Sequence, residues 1–313
     1  MTRSSLIDSA LSRSALRRAF TRARANGGAA GGDGITAAAM TRGLETALDA
    51  LVREVRRGRY QPGPLRAVPI PKRDGSTRVL RIPCLRDRVL QGAVASVLVP
   101  VLDPLMHPGS FAYRPGRSVP LALRSLRRGQ GWALDADIRS FFDEIGHHPL
   151  RRVLKQKVSC LETRQLIGIW LGSFGRRGLA QGSPISPLLA NTALGPLDSA
   201  LSKHGRLVRY ADDFVVVCAD KAGAREARRT AEQTLRFAGL RLHPDKTRIV
   251  PPGMSFTFLG TELVLHSRDR RPQKQLKNKM KLSLRRETIS PGEHIERVLR
   301  EGWKNMLNLT GRS

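Results

Sequence analysis

The residues of this chain best suited to chemistry are aspartates. In "RYADDFVVVCAD" (Arg209–Asp220), Asp212 and Asp213 stand side by side inside an apolar run. In "ALDADIRSFFDEI" (Ala133–Ile145), Asp135 and Asp137 fall at i, i+2, the spacing that puts two side chains on one face of a strand. Adjacent like charges repel, and burying them is costly. A divalent metal would neutralise them, and hard carboxylate oxygens favour Mg²⁺. If the strand of Asp137 lay beside the other segment, three carboxylates would converge. Two Mg²⁺ ions roughly 3.5–4 Å apart would then clamp the attacking and leaving oxygens of an in-line phosphoryl transfer. The residues alone leave another reading open: Asp135 and Asp137 pair with arginines, and Asp212–Asp213 is a plain turn.

The elements that must position these acids show as patterns. "RLVRYADDFVVVCAD" reads as two short apolar runs around the acid pair, a β-hairpin with the acids at or near its tip. "GWALDADIRSFFDEI" (Gly131–Ile145) reads as a strand ending in a turn. Residues 66–83, "RAVPIPKRDGSTRVLRIP", read as a second hairpin about "RDGS". Helices are predicted over about 86–102, 147–171 and 222–238. "GLAQGSPISPLLANTALGPLDSAL" is a Gly/Pro-punctuated loop running into a helix, "LRLHPDKTRIV" a turn and strand, and "FTFLGTELVL" a strand pair. Residues 1–58 read as two helical stretches around a Gly-rich break, "NGGAAGGDGIT"; the second carries Met40, Leu44, Leu48, Leu51 and Val55 near helical spacing. From Ser267 onward the chain is strongly basic and helical. The order is α+β, without regular βαβ alternation.

Composition narrows the partners. The 313 residues hold 55 Lys+Arg against 26 Asp+Glu, a formal net charge of +29. The charge is spread along the whole length, so the expected partner is a polyanion, nucleic acid before membrane. No apolar run approaches the roughly 18 residues of a membrane span. Cys84, Cys160 and Cys218 lie far apart without CxxC spacing, which argues against a disulfide framework or a zinc site and suits a reducing cytosol. A cytoplasmic location is therefore expected. The pair His147–His148 reads as a polar helix start. The Arg- and Ser-rich N-terminus, with Asp8 as its one acid before the Gly-rich break, has the composition of a transit peptide. Its residues Leu6, Ala10, Leu11 and Ala15 also fit the face of a basic helix at the edge of a nucleic-acid channel.

"YADD", preceded by "DIRSFFD" and "QGSPISPLLAN" in that order, resembles a reverse transcriptase. Further blocks extend the likeness over residues 26–262: "NGGAAGGDGIT", "IPKRDGSTRVLRIPCLRDRVLQ", "SFAYRPGRS", "LHPDKTRIV" and "FLGTEL" resemble segments of group II intron-encoded enzymes. The resemblance implies an α+β right-hand polymerase. An N-terminal helical extension would occupy 1–58, fingers 59–130, a palm 131–266 with a fingers insertion around 150–180, and a basic thumb or thumb remnant 267–313. It implies that Asp137, Asp212 and Asp213 hold two Mg²⁺ ions, with Mn²⁺ as a substitute, and that Asp135 has no such role and returns to a strand-face salt bridge. Lys246 matches a proposed proton donor to the departing pyrophosphate. Phe142 matches the aromatic gate that rejects a 2′-OH. Lys72 and Arg78 match residues gripping the incoming triphosphate, and Gln181 and Gly182 lie against nucleotide and template. Arg114 and Arg117 would contact template or phosphates; Tyr210, Phe258, Leu259 and Gly260 would meet the nucleic acid, the last three as the primer grip.

What the resemblance implies for function is an RNA-directed DNA polymerase that extends a DNA or RNA primer with dNTPs on an RNA template. Departures narrow the lineage. No endonuclease signature of paired His and Cys follows the palm, Ser186–Pro187 is intact where diversity-generating enzymes differ, and "FLGTEL" stands where retron enzymes carry "VTG". A free-standing, group II-like bacterial enzyme is expected, in the setting of a dedicated structured RNA, of CRISPR adaptation proteins or of phage defence. An RNA-dependent RNA polymerase and a catalytically silent RNA-binding scaffold are the alternatives; Tyr210 and Phe142 argue against the former, and the complete set of acids against the latter.

Overall fold

A computed structural model describes residues 5–71, 77–127 and 129–267. Lys72 and the expected thumb, but for Ser267, lie outside the described residues.

The N-terminal part is helical: α1 (Leu6–Ala10), α2 (Arg13–Ala25), α3 (Ala37–Thr41) and α4 (Leu44–Arg56). Each of the two helical stretches expected there is broken once. Ser12 ends the first by capping α2, its hydroxyl accepting from Ala15 N. Gly43 interrupts the second between α3 and α4. The hairpin expected over residues 66–83 is present as β1 (Arg66–Pro71) and β2 (Thr77–Ile82), antiparallel.

Next comes α5 (Leu85–Leu102). The helical stretch Leu85–Leu105 is long and apolar enough to cross a membrane by length and composition, contrary to the expectation from apolar runs. Arg86, Asp87, Arg88 and Gln91 hide this in the sequence, because they crowd its first turns and only Asp103 is charged beyond them. Here it is a core helix packed on α2 and α1. Asp87 is fully buried in it, accepting from Tyr60 OH and Gly63 N at 2.8 Å each.

The helix α6 (Val119–Arg127) leads into strand β3 (Trp132–Asp137). The short α7 (Phe141–Glu144), α8 (His147–Lys157) and α9 (Leu161–Phe174) follow. The His147–His148 pair does open a helix; His147 Nε2 lies 2.7 Å from Gly178 O. The stretch after "QGSP" forms α10 (Ser186–Ala193) and α11 (Gly195–Leu201), split at Gly195–Pro196. The hairpin β4 (Arg206–Tyr210) and β5 (Asp213–Cys218) is followed by α12 (Lys221–Phe237), β6 (Arg248–Val250), and the hairpin β7 (Ser255–Phe258) and β8 (Thr261–Val264).

The central sheet has the order β4-β5-β3-β6, antiparallel throughout. Alternation along its strands feeds two cores. Leu134, Ala136, Leu207, Phe214 and Val216 face the larger core, which includes α12; Ala133, Val208, Val215, Val217 and Val250 face a second one with α6 and the β7–β8 hairpin. Burial on both faces fixes the register, because a one-residue slip would exchange every side chain between the two cores. The three cysteines are free thiols.

Candidate active site

The register settles where the acids go. Asp137 is the Cα partner of Asp213, and Asp135 of Val215. The facing strand of the hairpin pairs Tyr210 with Asp213, leaving Ala211 and Asp212 as a two-residue turn. Ala211 takes φ 59 there, as the first residue of a tight hairpin turn requires. Asp212 O accepts from Ile138 N at 3.1 Å, which closes the turn onto the end of β3. Asp137, Asp212 and Asp213 thus share one end of the sheet, where the two inner strands meet the turn.

Their electrostatics are those of crowded like charges. Burial, then the charges of Asp135, Asp137 and Asp212, push the Asp213 carboxyl well above the usual range. Burial and then Asp137 raise Asp212, against the opposing influence of Arg78 and Lys246. Lys246 Nζ lies 3.2 Å from Asp137 Oδ2 on a half-exposed side chain, an ion pair of the weak, replaceable kind. Asp135 is different. It is buried and accepts from Arg248 Nε at 2.8 Å, its register partner on β6, so it forms the strand-face ion pair expected of it.

Three carboxylates whose mutual repulsion Lys246 and Arg78 offset only in part, and which offer oxygen donors alone, fit a divalent cation. As they stand, no three His, Cys, Asp or Glu side chains among the described residues are closed on a common point. The backbone brings the acids to one end, and Asp137 is turned to Lys246.

The surroundings are built by the other blocks. Phe142 follows a left-handed Ser140 (φ 46) and packs edge-on against Phe141, centroids 5.4 Å apart, and Tyr113, 6.4 Å apart. Gln181 Nε2 reaches both Asp143 carboxylate oxygens at 3.4 Å. Gln181 O accepts from Arg81 N at 2.9 Å, and Ser183 Oγ meets Gln91 Oε1 at 2.9 Å, so the "QGS" turn is clamped between β2 and α5. Gly182, expected to allow close approach to nucleotide, is needed first by the protein: at φ 132, a Cβ there would sit 3.0 Å from Arg81 O.

Three residues expected at the nucleic acid have partners within the protein. Arg114 is spent internally, on Asp103 Oδ1 at 2.6 Å and on His107 O and Ser110 O at 2.8 and 2.9 Å. Arg117 donates to Pro108 O at 3.0 Å and lies over the Phe111 ring, which braces the same loop. Phe258 is fully buried in the second core, so it supports its hairpin from beneath. Leu259 and Gly260 form the turn above it, both at positive φ (50 and 74). Tyr210 is half-buried at the base of the acid turn.

One feature escaped sequence reasoning. Arg209 is fully buried and holds Asp198 through two bonds of 2.6 Å. It also donates to Asn191 Oδ1 (3.0 Å), Ser110 Oγ (2.8 Å) and Ala211 O (2.9 Å). Asn191 in turn donates to Ala112 O at 2.7 Å. This node ties the acid turn, the "PLLAN" helix and the loop before Tyr113 to one another. Its only sequence signal is an arginine in an otherwise apolar strand.

The profile of the family described as reverse transcriptase (RNA-dependent DNA polymerase) matches residues 70–263, a span that includes every acid of the site. The chain belongs to the reverse transcriptase family. This reverse transcriptase is 31% identical over 293 residues to Protein YkfC of Escherichia coli K12, covering 75% of each chain. It is 31% identical over 167 residues to the group II intron-encoded protein LtrA of Lactococcus lactis, across 49% of this chain but 28% of LtrA. It is 28% identical over 229 residues to the retron Mx65 reverse transcriptase of Myxococcus xanthus, across 65% of this chain and 53% of that one. Among solved structures, apo telomerase from Candida tropicalis, truncated of its C-terminal domain, superposes with a TM-score of 0.52 at 14% identity, covering 69% of this reverse transcriptase and 58% of that chain. The fold is the α+β right-hand polymerase.

Proposed function

We propose that this reverse transcriptase extends a primer 3′-OH with dNTPs on an RNA template, using divalent cations, Mg²⁺ first, held by Asp137, Asp212 and Asp213. The observation that carries this reading is the register opposition of Asp137 and Asp213 beneath the Asp212 turn. Like charges placed directly opposite are destabilising in a sheet, so the arrangement is intelligible as a cation site. Bound there, the ions would supply Lewis acidity to the attacking hydroxyl and charge neutralisation to the departing pyrophosphate.

The chain's own residues supply the rest. Lys246, now on Asp137, is placed to give a proton to a leaving phosphate as negative charge develops. Arg78, whose charge acts on Asp212, stands on the exposed end of β2 facing the acids and is suited to the triphosphate. Phe142 walls the side from which a 2′-OH would enter. Leu259 and Gly260 present the turn of the primer grip. The N-terminal extension, fingers and palm are read as residues 1–58, 59–130 and 131–266.

Primer extension on poly(rA)/oligo(dT) with Mg²⁺ tests this. Wild type is expected to incorporate dTTP, and Asp212→Ala/Asp213→Ala to lose at least about a thousandfold in rate, the scale of removing a principal electrostatic element. Unchanged synthesis by the double variant would refute the site. Group II-like, CRISPR-associated and phage-defence settings separate by what co-purifies: a dedicated structured RNA, or adaptation proteins.

A further inference from the structure

Beside Phe142, the residue read as the gate, stands a second aromatic residue, Tyr113, in an unusual conformation. Its φ is 59, a region that a bulky residue occupies only where its surroundings over-determine it. Those surroundings are explicit. Asn191 Nδ2 holds Ala112 O at 2.7 Å, Arg209 O accepts from Phe111 N at 2.9 Å, and the Arg114 guanidinium holds Ser110 O and His107 O. The loop is thereby fixed to the strand that leads into the acid turn. The side chain it presents is half-exposed, at 52%, where apolar residues are otherwise mostly covered.

The ring is aimed at the gate. It meets Phe142 edge-to-face, centroids 6.4 Å apart and planes at 87°. Phe142 also meets the buried Phe141, at 5.4 Å and 73°. Both contacts are of the favoured aromatic geometry.

We infer that Tyr113 is a positioning residue for sugar selection, its ring holding Phe142 against Phe141 so that the wall facing a 2′-OH is a braced pair of aromatics. This rests on the reading of Phe142 as the gate. Without the Tyr113 ring, Phe142 keeps one aromatic neighbour and an open side, and it can turn out of the way of a ribose.

The test is steady-state kcat and KM for dTTP and UTP on poly(rA)/oligo(dT), for wild type, Tyr113→Phe, Tyr113→Ala, Phe142→Ala and the Tyr113→Ala/Phe142→Ala double variant. Tyr113→Phe is expected to keep the wild-type discrimination, because the ring does the bracing. Tyr113→Ala is expected to lower the dTTP:UTP ratio of kcat/KM by about tenfold, the scale of one lost packing contact, mainly through a lower KM for UTP. The double variant should discriminate no worse than Phe142→Ala alone, because the two residues act as one unit. Tyr113→Gly carries the same expectation as Tyr113→Ala without strain at φ 59, which guards against a variant that simply fails to fold. If Phe142→Ala relaxes discrimination while Tyr113→Ala and Tyr113→Gly slow both nucleotides equally, the bracing role is wrong and the gate survives. If Phe142→Ala leaves the ratio unchanged, the gate itself is wrong and this inference goes with it.

Discussion

At the scale of single residues, the acids at the hairpin tip are held in a state the folded protein disfavours. Asp212 and Asp213 both have raised pKa values, so the folded chain binds their protons more tightly than the unfolded chain does. The sign follows from linkage: what these two groups contribute to stability is greatest below the ordinary carboxylate value of about 4 and is lost as pH rises from there through their raised values. In chelator, the Asp212→Asn/Asp213→Asn variant should therefore gain in Tm relative to wild type as pH increases across that window. Adding Mg²⁺ at neutral pH should raise the wild-type Tm and leave that of the variant unmoved. A pH-independent difference in Tm would remove charge crowding from the account. Asp135 marks the limit of legibility at this scale. Its spacing with Asp137 was plain and the resemblance returned it to a strand-face salt bridge, but only the register named Arg248 as the partner. Arg114 shows the same limit from the other side. Its sequence block matched, yet a guanidinium with five donors goes wherever carbonyls and carboxylates surround it, and here they are the protein's own.

At the scale of elements, the joint that matters is between the β1–β2 hairpin and the "QGSP" turn. Arg81 N to Gln181 O is a backbone bond between β2 and the "QGSP" turn, made where Gly182 lets the two chains close to contact distance. Gly182→Ala adds a Cβ 3.0 Å from Arg81 O at a φ of 132, so both the contact and the backbone conformation resist it. Strain of this kind is worth on the order of 1–3 kcal/mol. On the proposed reading of Gln181 and Gly182 as lying against the nucleotide, it should raise KM for dNTP about tenfold or more while moving kcat less, read by single-nucleotide extension kinetics. An equal loss in both would mean that the joint sets the chemistry and not the nucleotide site. The elements themselves were mostly legible, because strand alternation and helical spacing are local properties. The breaks at Ser12 and Gly43 were missed, since apolar spacing continues across both while a cap or a glycine redirects the backbone. The apolar length of α5 was missed because its charges cluster at one end.

At the scale of the whole molecule, the chain carries a formal charge of +29 beside a small group of paired acids. Binding to single-stranded RNA should therefore be dominated by counterion release and be largely indifferent to base sequence. Six to ten phosphate contacts would cost on the order of 10³-fold in affinity between about 50 and 200 mM salt, measured by filter binding. A flat salt response would mean that the positive surface is not the RNA-binding surface. The sequence by itself determined the identity of the acids, the order of the blocks, the α+β class and the sign of the field, because residue type, local periodicity and net charge do not depend on how the chain closes. Tertiary structure alone decided that Asp137 faces Asp213 while Asp135 faces Arg248, that Arg209 joins three segments at the acid turn, and that Tyr113 meets Phe142. Each of these is a contact between residues far apart in the chain, fixed by strand register and by burial on both faces of the sheet, and neither is written in any single stretch of residues.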